Sequence, residues 1–235
     1  MNDLLDEKWK RVLVVMAHPD DPEFFCGGTV ALLVKHGLDV SYLLLTGGDK
    51  GSDDRHLSEE ALVGLRRREQ RAAADKLGVG AIRFLDHCDG ELENRPDIRR
   101  EVVRVIREWR PDLVITNDPA MVFFAPSGYV NHADHRTAGF IAIDSVFPAA
   151  RNARFFPELL DEGLEPHNVR QIWLARSNQA DLEVDISQAY ELRLQALLEH
   201  ASQVGDPEEF LARMRKGREE AGEPPPETFR RLVMR

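Results

Sequence analysis

Strand and helix patterns alternate along the first half of this chain, and this alternation constrains the fold more than any other feature. Residues 11–17 (RVLVVMA) form a nearly continuous apolar run rich in valine, which is typical of a parallel strand buried on both faces. Further strand patterns occupy 40–45, 81–85 and 113–116, and helical patterns occupy 29–36, 58–77 and 96–109. This order predicts an α/β fold with Rossmann-like topology, in which a doubly wound, mostly parallel sheet carries helices on both faces.

The second half of the chain is less regular. A loop over 120–131 precedes a predicted helix over 132–147, strands over 171–175 and 182–186, and helices over 188–203 and 208–220. A proline-rich break at 223–226 then separates the last helix from a tail. We predict a single α/β domain over 1–205 and a helical C-terminal extension over 206–235, for which a contact in a homo-oligomer is one hypothesis.

Charge balance and cysteine count exclude several classes of protein. The chain has 235 residues and a formal net charge of −10, so a basic face for nucleic acid is not expected. Its two cysteines, Cys26 and Cys88, cannot build a disulfide framework or a cysteine-based zinc cluster. The N-terminal residues lack the apolar segment of a signal peptide, and no apolar run approaches the ~20 residues that span a bilayer. We therefore expect a cytoplasmic protein without a membrane or nucleic-acid partner.

Unusual polar residues follow the predicted strands at the point where each strand ends. They lie at 18–21 after the first strand, at 46–51 after the second, at 86–89 after the third, and at 117–118 after the fourth. Ligands bind beyond the carboxyl ends of the strands in sheets of this type. This shared location is the first indication of a functional site.

His18, Asp20 and Asp21 follow the first strand with a spacing that suits a metal site. The side chains of His18 and Asp21, three residues apart, can converge on one point while Asp20 projects beside them. A carboxylate in that position can act as a general base on a water molecule. The alternative interpretation is an acidic turn that caps the following helix.

A second histidine cluster lies at the predicted start of the helix after the long loop. His132 and His135 are three residues apart, hence on one helix face. Alone, such a pair is more often a surface or helix-capping feature. Together with the His-x-x-Asp turn it completes a set of two imidazoles and one carboxylate, and three protein ligands plus water is the composition of a hydrolytic zinc site.

Several segments of the sequence together resemble one known family. They are 17–21 (AHPDD), 27–29 (GGT), 66–69 (Arg-x-x-Glu), 89–90 (Asp-Gly), 132–135 (HADH) and 200–203 (HASQ). In these segments the chain resembles the PIG-L/LmbE family of zinc-dependent de-N-acetylases. The pattern here departs from the commoner His-Pro-Asp-Asp-Glu, because Pro22 separates Asp21 from Glu23.

The resemblance implies a role for each residue of the two main motifs. His18, Asp21 and His135 would hold Zn²⁺, with another divalent transition metal as the alternative. Asp20 would be the general base, and His132 would stabilise the oxyanion and protonate the leaving amine.

Substrate binding is implied for two further residues. Arg66 matches a family arginine that contacts substrate, and Asp89 would also contact it. The family tyrosine that assists the oxyanion falls at Val130, so the neighbouring Tyr129 receives no catalytic role. The aromatic loop at 120–131 is either a substrate wall or a flap over the core.

The predicted function is a metal-dependent hydrolase that removes an N-acetyl group from an N-acetylglucosamine-type sugar conjugate with metal-activated water. The sugar preference is implied by the resemblance alone. Two alternatives remain: a metallohydrolase that acts on another amide or on an ester, including a phosphoester, and a non-catalytic Rossmann-like module that binds a sugar or nucleotide.

Overall fold

The computed structural model describes residues 5–124, 128–221, 224 and 226–234, so parts of the N-terminus, of the 120–131 loop and of the 223–226 break lie outside the described residues. The strands are β1 (Arg11–Met16), β2 (Asp39–Thr46), β3 (Ala81–His87), β4 (Leu113–Asn117), β5 (Phe123–Phe124), β6 (Tyr129–Val130), β7 (Gln171–Ala175), β8 (Leu182–Val184) and β9 (Glu227–Val233). The helices are α1 (Asp21–Lys35), α2 (Glu59–Leu77), α3 (Pro96–Trp109), α4 (Ala133–Asp144), α5 (Glu158–Asp161), α6 (Tyr190–Leu198), α7 (Ala201–Val204) and α8 (Pro207–Ala221). None of the helices within these ranges is long and apolar enough to cross a membrane.

Seven strands form one sheet in the order β3-β2-β1-β4-β7-β9-β8. The pairs from β3 through to β7 are parallel, and β9 runs antiparallel to both β7 and β8. Chain order reverses at β1, which lies between β2 and β4, and such a switch point opens a crevice beyond the carboxyl ends of the strands. The predicted doubly wound, mostly parallel sheet is confirmed. The short hairpin of β5 and β6 within the long loop was not predicted.

Alternate residues of β1 enter two hydrophobic cores, one on each face of the sheet. Val12, Val14 and Met16 pack in a core that also contains residues of α1, α2 and α6. Leu13 and Val15 pack in the other core with residues of α3 and α4. Because neighbouring side chains of a strand point to opposite faces, a strand covered on both faces needs the continuous apolar run seen here.

The largest differences from the predicted element boundaries concern three helices. Helix α1 begins at Asp21 rather than at residue 29, because Pro22 is accommodated in the first turn, where its missing N–H is not needed. The predicted helix over 132–147 becomes α4 followed by a π-helical turn, Ser145–Ala150. The predicted helix over 188–203 consists of α6 and α7, which are separated at residues 199–200.

Helix α1 is kinked at Cys26, whose backbone is not helical (φ −151°, ψ 19°). The carbonyl oxygens of Glu23 and Phe24, on the N-terminal side of the kink, accept hydrogen bonds from the Arg193 guanidinium at 2.9 and 2.7 Å. Helix α6 therefore satisfies backbone groups that the kink leaves without helical partners.

The opposite side of the kink is satisfied by the C-terminal strand. The N–H groups of Gly28 and Thr29 donate to the Glu227 carboxylate at 2.9 and 2.7 Å, and Glu227 also pairs with Arg193 at 3.3 Å. A Cβ atom on Gly28 would lie 2.8 Å from Ile186, so this close approach requires glycine. The kinked helix is thus fixed by segments far from it in the sequence.

The C-terminal segment belongs to the sheet, which corrects the prediction for residues 206–235. Helix α8 lies where a charged helix was predicted, but the chain then returns as β9 between β7 and β8. Phe229 of β9 is fully buried, with its ring centroid 5.5 Å from that of Trp173. Placing the tail outside the core is therefore wrong, while the proposed subunit contact stays a prediction.

Replacing Phe229 tests the position of β9. Phe229→Ala should lower the free energy of unfolding by about 3–5 kcal/mol, because it removes a fully buried ring. Val233→Ala on the same strand should change it by less than about 0.5 kcal/mol, since Val233 is 63% exposed. Urea unfolding followed by circular dichroism measures both values, and equal effects would contradict the burial of β9.

Candidate active site

A cavity of about 750 Å³ lies at the carboxyl edge of the sheet, beyond β1, β2 and β3. This volume falls within the ~300–1,000 Å³ of small-molecule sites. All seven residues with a predicted role line it, namely His18, Asp20, Asp21, Arg66, Asp89, His132 and His135. The fold thus brings together residues that the sequence analysis selects separately, and their individual roles remain predictions.

Three of these side chains bring possible metal-ligand atoms close together. His18 Nδ1 lies 3.3 Å from His135 Nε2 and 3.4 Å from Asp21 Oδ2, and His135 Nε2 lies 3.0 Å from Asp21 Oδ1. Zinc binds nitrogen and oxygen at about 2.0–2.2 Å, so two ligand atoms on a tetrahedron are about 3.3 Å apart. Both Asp21 oxygens take part in these contacts, and the separations are short enough for the three side chains to hold one ion together.

Contacts on the far side of each imidazole ring orient these ligand atoms. His135 Nδ1 lies 2.9 Å from the Asn131 side-chain oxygen, which can only accept, so the proton belongs on Nδ1 and Nε2 is free to bind a metal. His18 Nε2 lies 3.1 Å from Asp89 Oδ1 and 3.4 Å from Asp134 Oδ2. Neither contact has full hydrogen-bond geometry. Such outer partners are typical of histidines that bind metals.

A second group of ligand atoms, from His18, Asp89, His132 and Asp134, lies on the other side of the His18 ring. This group is looser, because His132 Nε2 is 4.0 Å from Asp89 Oδ1. Asp134 Oδ2 also accepts a 2.7 Å hydrogen bond from the Gly90 N–H. The geometry therefore favours the group of His18, Asp21 and His135 as the metal ligands, although both groups could hold an ion.

The carboxylates in the site favour a positive charge on the His18 side chain. Burial alone would lower the pKa of His18, but the carboxylates of Asp134 and Asp21 outweigh it and raise that pKa well above its usual value. Burial would raise the pKa of Asp21, but His135 and His18 hold it well below its usual range. A metal ion that bound here would take over the role of this positive charge and release the imidazole proton.

Asp20 does not cap the helix that it precedes. Its backbone lies in the left-handed φ region (φ 101°), which costs about 1–3 kcal/mol for a residue with a side chain. Its carboxylate makes no capping hydrogen bond and instead faces the cavity. Burial, and then the charge of Asp21, raises the pKa of the Asp20 carboxyl to about 6. A carboxylate with a pKa near neutrality suits a general base.

Arg66 holds the Asp20 turn from α2. Its guanidinium donates to the main-chain oxygens of Pro19 and Gly48 at 2.6 and 3.1 Å, and to Asp20 Oδ2 at 3.2 Å. The side chain is only 4% exposed. These contacts explain its position without a substrate, so the substrate contact implied by the resemblance stays a prediction. The same applies to Asp89, whose carboxylate lies against His18.

His132 presents a defined donor to the cavity. Its Nδ1 accepts a 3.2 Å hydrogen bond from the Asp134 N–H at the start of α4, so the proton of the neutral ring is on Nε2. Burial, and then the charge of His18, lowers the pKa of His132. These observations favour a neutral His132 that donates from Nε2.

Other functional positions were missed by sequence reasoning. Asn131 and Asp134 flank the motif histidines, and that adjacency was the available signal for their supporting contacts. The guanidinium of Arg176, which follows β7, lies over the rings of Phe124 and Phe25 at 4.6 and 5.5 Å and lines the cavity. No local pattern marks Arg176, because a distant strand brings it to the site.

A family model matches more than half of the chain. The model described as GlcNAc-PI de-N-acetylase (PIG-L) matches residues 13–146, which include both histidine motifs.

Similar proteins include enzymes with named activities. The diacetylchitobiose deacetylase of Thermococcus kodakarensis is 38% identical over 195 residues, covering 83% of this chain and 70% of the relative. A probable N-acetyl-alpha-D-glucosaminyl L-malate deacetylase 2 of Bacillus cereus is 26% identical over 199 residues, covering 83% and 84% of the two chains. Among solved structures, the N,N'-diacetylchitobiose deacetylase from Pyrococcus horikoshii in complex with an inhibitor superposes with a TM-score of 0.84 and 32% identity, covering 97% of this chain and 85% of that one.

Metal content distinguishes the two groups of ligand atoms. We expect His135→Ala to lose the bound metal, whereas His132→Ala should retain it, because only His135 belongs to the compact group. Both proteins are loaded with zinc, desalted and analysed by plasma mass spectrometry, with circular dichroism to confirm folding. The reverse pattern would assign the metal to the group that contains His132.

Proposed function

Because this chain belongs to the PIG-L family of de-N-acetylases, we propose that it hydrolyses the acetamide group of an N-acetylglucosamine-type sugar with the help of a bound divalent metal, zinc being the first candidate. The observation that carries the proposal is the compact triangle of His18 Nδ1, Asp21 and His135 Nε2. Asp20 faces the same cavity beside these ligand atoms. The deacetylase activities named for the relatives support the reaction type.

The donor set supports zinc. Two imidazole nitrogens and one carboxylate suit zinc, and neighbouring divalent transition metals accept the same ligands. When bound, such an ion polarises an amide carbonyl and makes water more acidic. His18 and Asp21, at the end of β1, and His135, in the first turn of α4, would hold it.

The protein residues divide the proton transfers between them. Asp20 accepts a proton from the attacking water, and Arg66 keeps its carboxylate turned to the cavity. His132 donates a hydrogen bond from Nε2 to the amide oxygen as that oxygen gains negative charge. The resemblance implies that His132 protonates the leaving amine, but a neutral His132 is a weak acid. We therefore assign this proton to Asp20, which has accepted it from water, and the products are acetate and a free amine.

The cavity supports a small saccharide as substrate. The wall of the cavity contains the carboxylates close to His18 and also the rings of Phe25 and Phe124. Aromatic rings can stack on the apolar face of a sugar. N,N'-Diacetylchitobiose is the first substrate to test, since the similarity to deacetylases named for this substrate extends over most of this chain. A glucosaminyl conjugate such as N-acetylglucosaminyl malate is the second.

Replacing Asp20 separates catalysis from metal binding. Asp20→Asn should reduce kcat for N,N'-diacetylchitobiose by about 10²–10⁴-fold, because the isosteric amide cannot accept the proton. The zinc content should stay equal to that of the wild type, since Asp20 contributes no atom to the compact group. Amine release is followed with fluorescamine. Zinc loss equal to that of His135→Ala would contradict the separate role of Asp20.

Metal removal tests the cofactor. Dialysis against a chelator should abolish amine release, and one equivalent of Zn²⁺ should restore it, with Co²⁺ and Mn²⁺ as comparisons. Acetate release measured in parallel identifies the bond that is cut. Full activity in protein freed of metal would refute a metal-dependent mechanism.

A further inference from the structure

Three buried polar side chains link the interior of the protein to the backbone of Asp20. The Asp20 N–H donates to Gln70 Oε1 at 2.8 Å, and Gln70 Nε2 donates to Glu23 Oε2 at 3.0 Å. His200 Nε2 lies 3.0 Å from the same Glu23 oxygen. We call Gln70, Glu23 and His200 the Gln70 cluster.

The orientation of the Gln70 amide follows from its two partners. A backbone N–H can only donate and a carboxylate oxygen can only accept, so Oε1 must face Asp20 and Nε2 must face Glu23. If the amide were flipped, its nitrogen would face the Asp20 N–H, which is also a donor. Its oxygen would face the Glu23 carboxylate, which is also an acceptor. Glu23 therefore determines which atom of Gln70 is offered to Asp20, and His200 in turn holds Glu23.

The Gln70 cluster is separate from the cavity. Gln70 and Glu23 are completely buried and His200 is 1% exposed. None of the three is among the described residues that line the cavity. The cluster can thus influence a reaction there only through the residues that it contacts.

Asp20 is the residue where such support is needed. It holds a left-handed φ of 101°, which a residue with a side chain adopts only when its surroundings enforce it. Arg66 fixes its carboxylate and the preceding carbonyl, while Gln70, one turn further along α2, fixes its N–H. We propose that Gln70 is a positioning residue for the general base Asp20, and that Glu23 and His200 fix its orientation. This inference rests on the proposed function.

Gln70→Met tests the proposal by removing both hydrogen bonds at similar volume. We expect kcat to fall by about 10²-fold, since a misplaced catalytic group can cost that much. KM and zinc content should stay unchanged, because Gln70 contacts neither the cavity nor the metal ligands. Leu77→Val, a buried apolar change on the same helix, is the matched control and should keep kcat. Loss of zinc, or an equal loss of kcat in the control, would overturn the positioning role.

A double-mutant cycle separates positioning from a general structural effect. If Gln70 acts through the Asp20 carboxylate, adding Gln70→Met to Asp20→Asn should leave the residual rate unchanged. A further fall similar to that in the wild-type background would overturn the inference. An inactive wild type with bound zinc would instead refute the proposed function, so the two failures are distinguishable.

Exchanging the amide of Gln70 with the carboxylate of Glu23 tests whether activity is recovered when the two groups change places. In the double variant Glu23→Gln with Gln70→Glu, the carboxylate at 70 accepts from the Asp20 N–H and from the amide nitrogen at 23. The same nitrogen then faces His200 Nε2, which accepts when the ring proton is on Nδ1. Gln70→Glu alone opposes two carboxylates and should lose activity, and the double variant should recover at least half of the wild-type kcat. Failure of a folded, zinc-loaded double variant to recover would overturn the proposal. This pair also carries the test if Gln70→Met does not fold.

Discussion

Ionisable side chains of opposite sign are buried together at the end of β1, and the rest of the structure depends on how the cost of burying them is offset. His18, Asp21 and Asp134 are 7%, 4% and 1% exposed, and an unpaired buried charge costs several kcal/mol. The backbone offsets part of this cost, since the His18 N–H donates to Asp21 and the Gly90 N–H to Asp134. The site contains more carboxylates than imidazoles and therefore suits a cation. This charge balance links the electrostatics of the fold to the proposed metal chemistry.

The fold brings these groups together through its switch point. Because β1 pairs with β2 on one side and β4 on the other, the turn after β1 opens into the crevice that α4 enters after the long loop. Helix α4 packs closely on the end of β4, since a Cβ atom on Gly139 would lie 2.4 Å from the Asn117 carbonyl oxygen. This approach sets His135 over the turn that holds Asp21. A larger residue at 139 would displace the helix and with it His135.

Local physical signals explain which features the sequence could predict. Ser58 accepts from the Ala61 N–H and Gly78 ends α2 at φ 77°, both as expected from capping rules. Strand ends and motif spacing also selected His18, Asp20, Asp21, His132 and His135, whereas Arg66 and Asp89 were selected by the family resemblance. Strand β9 was missed because its charged sequence has little intrinsic strand pattern, and its structure depends on pairing with β7 and β8. The contact of Gln70 with Asp20 was likewise beyond reach, since it depends on how α2 packs beside α1.

Part of the support for the motif turn comes from residues beyond 146, where the match to the family model ends. Arg193 and Glu227, both beyond residue 146, satisfy the backbone on the two sides of the α1 kink, and they contact each other. His200 reaches the same helix through Glu23. The turn that presents Asp20 and Asp21 is continuous with α1, so the late helices and the last strand hold this turn without contributing a predicted ligand. Arg193, His200 and Glu227 are therefore part of the scaffold of the candidate site, and changes at these residues can alter the site without touching the cavity.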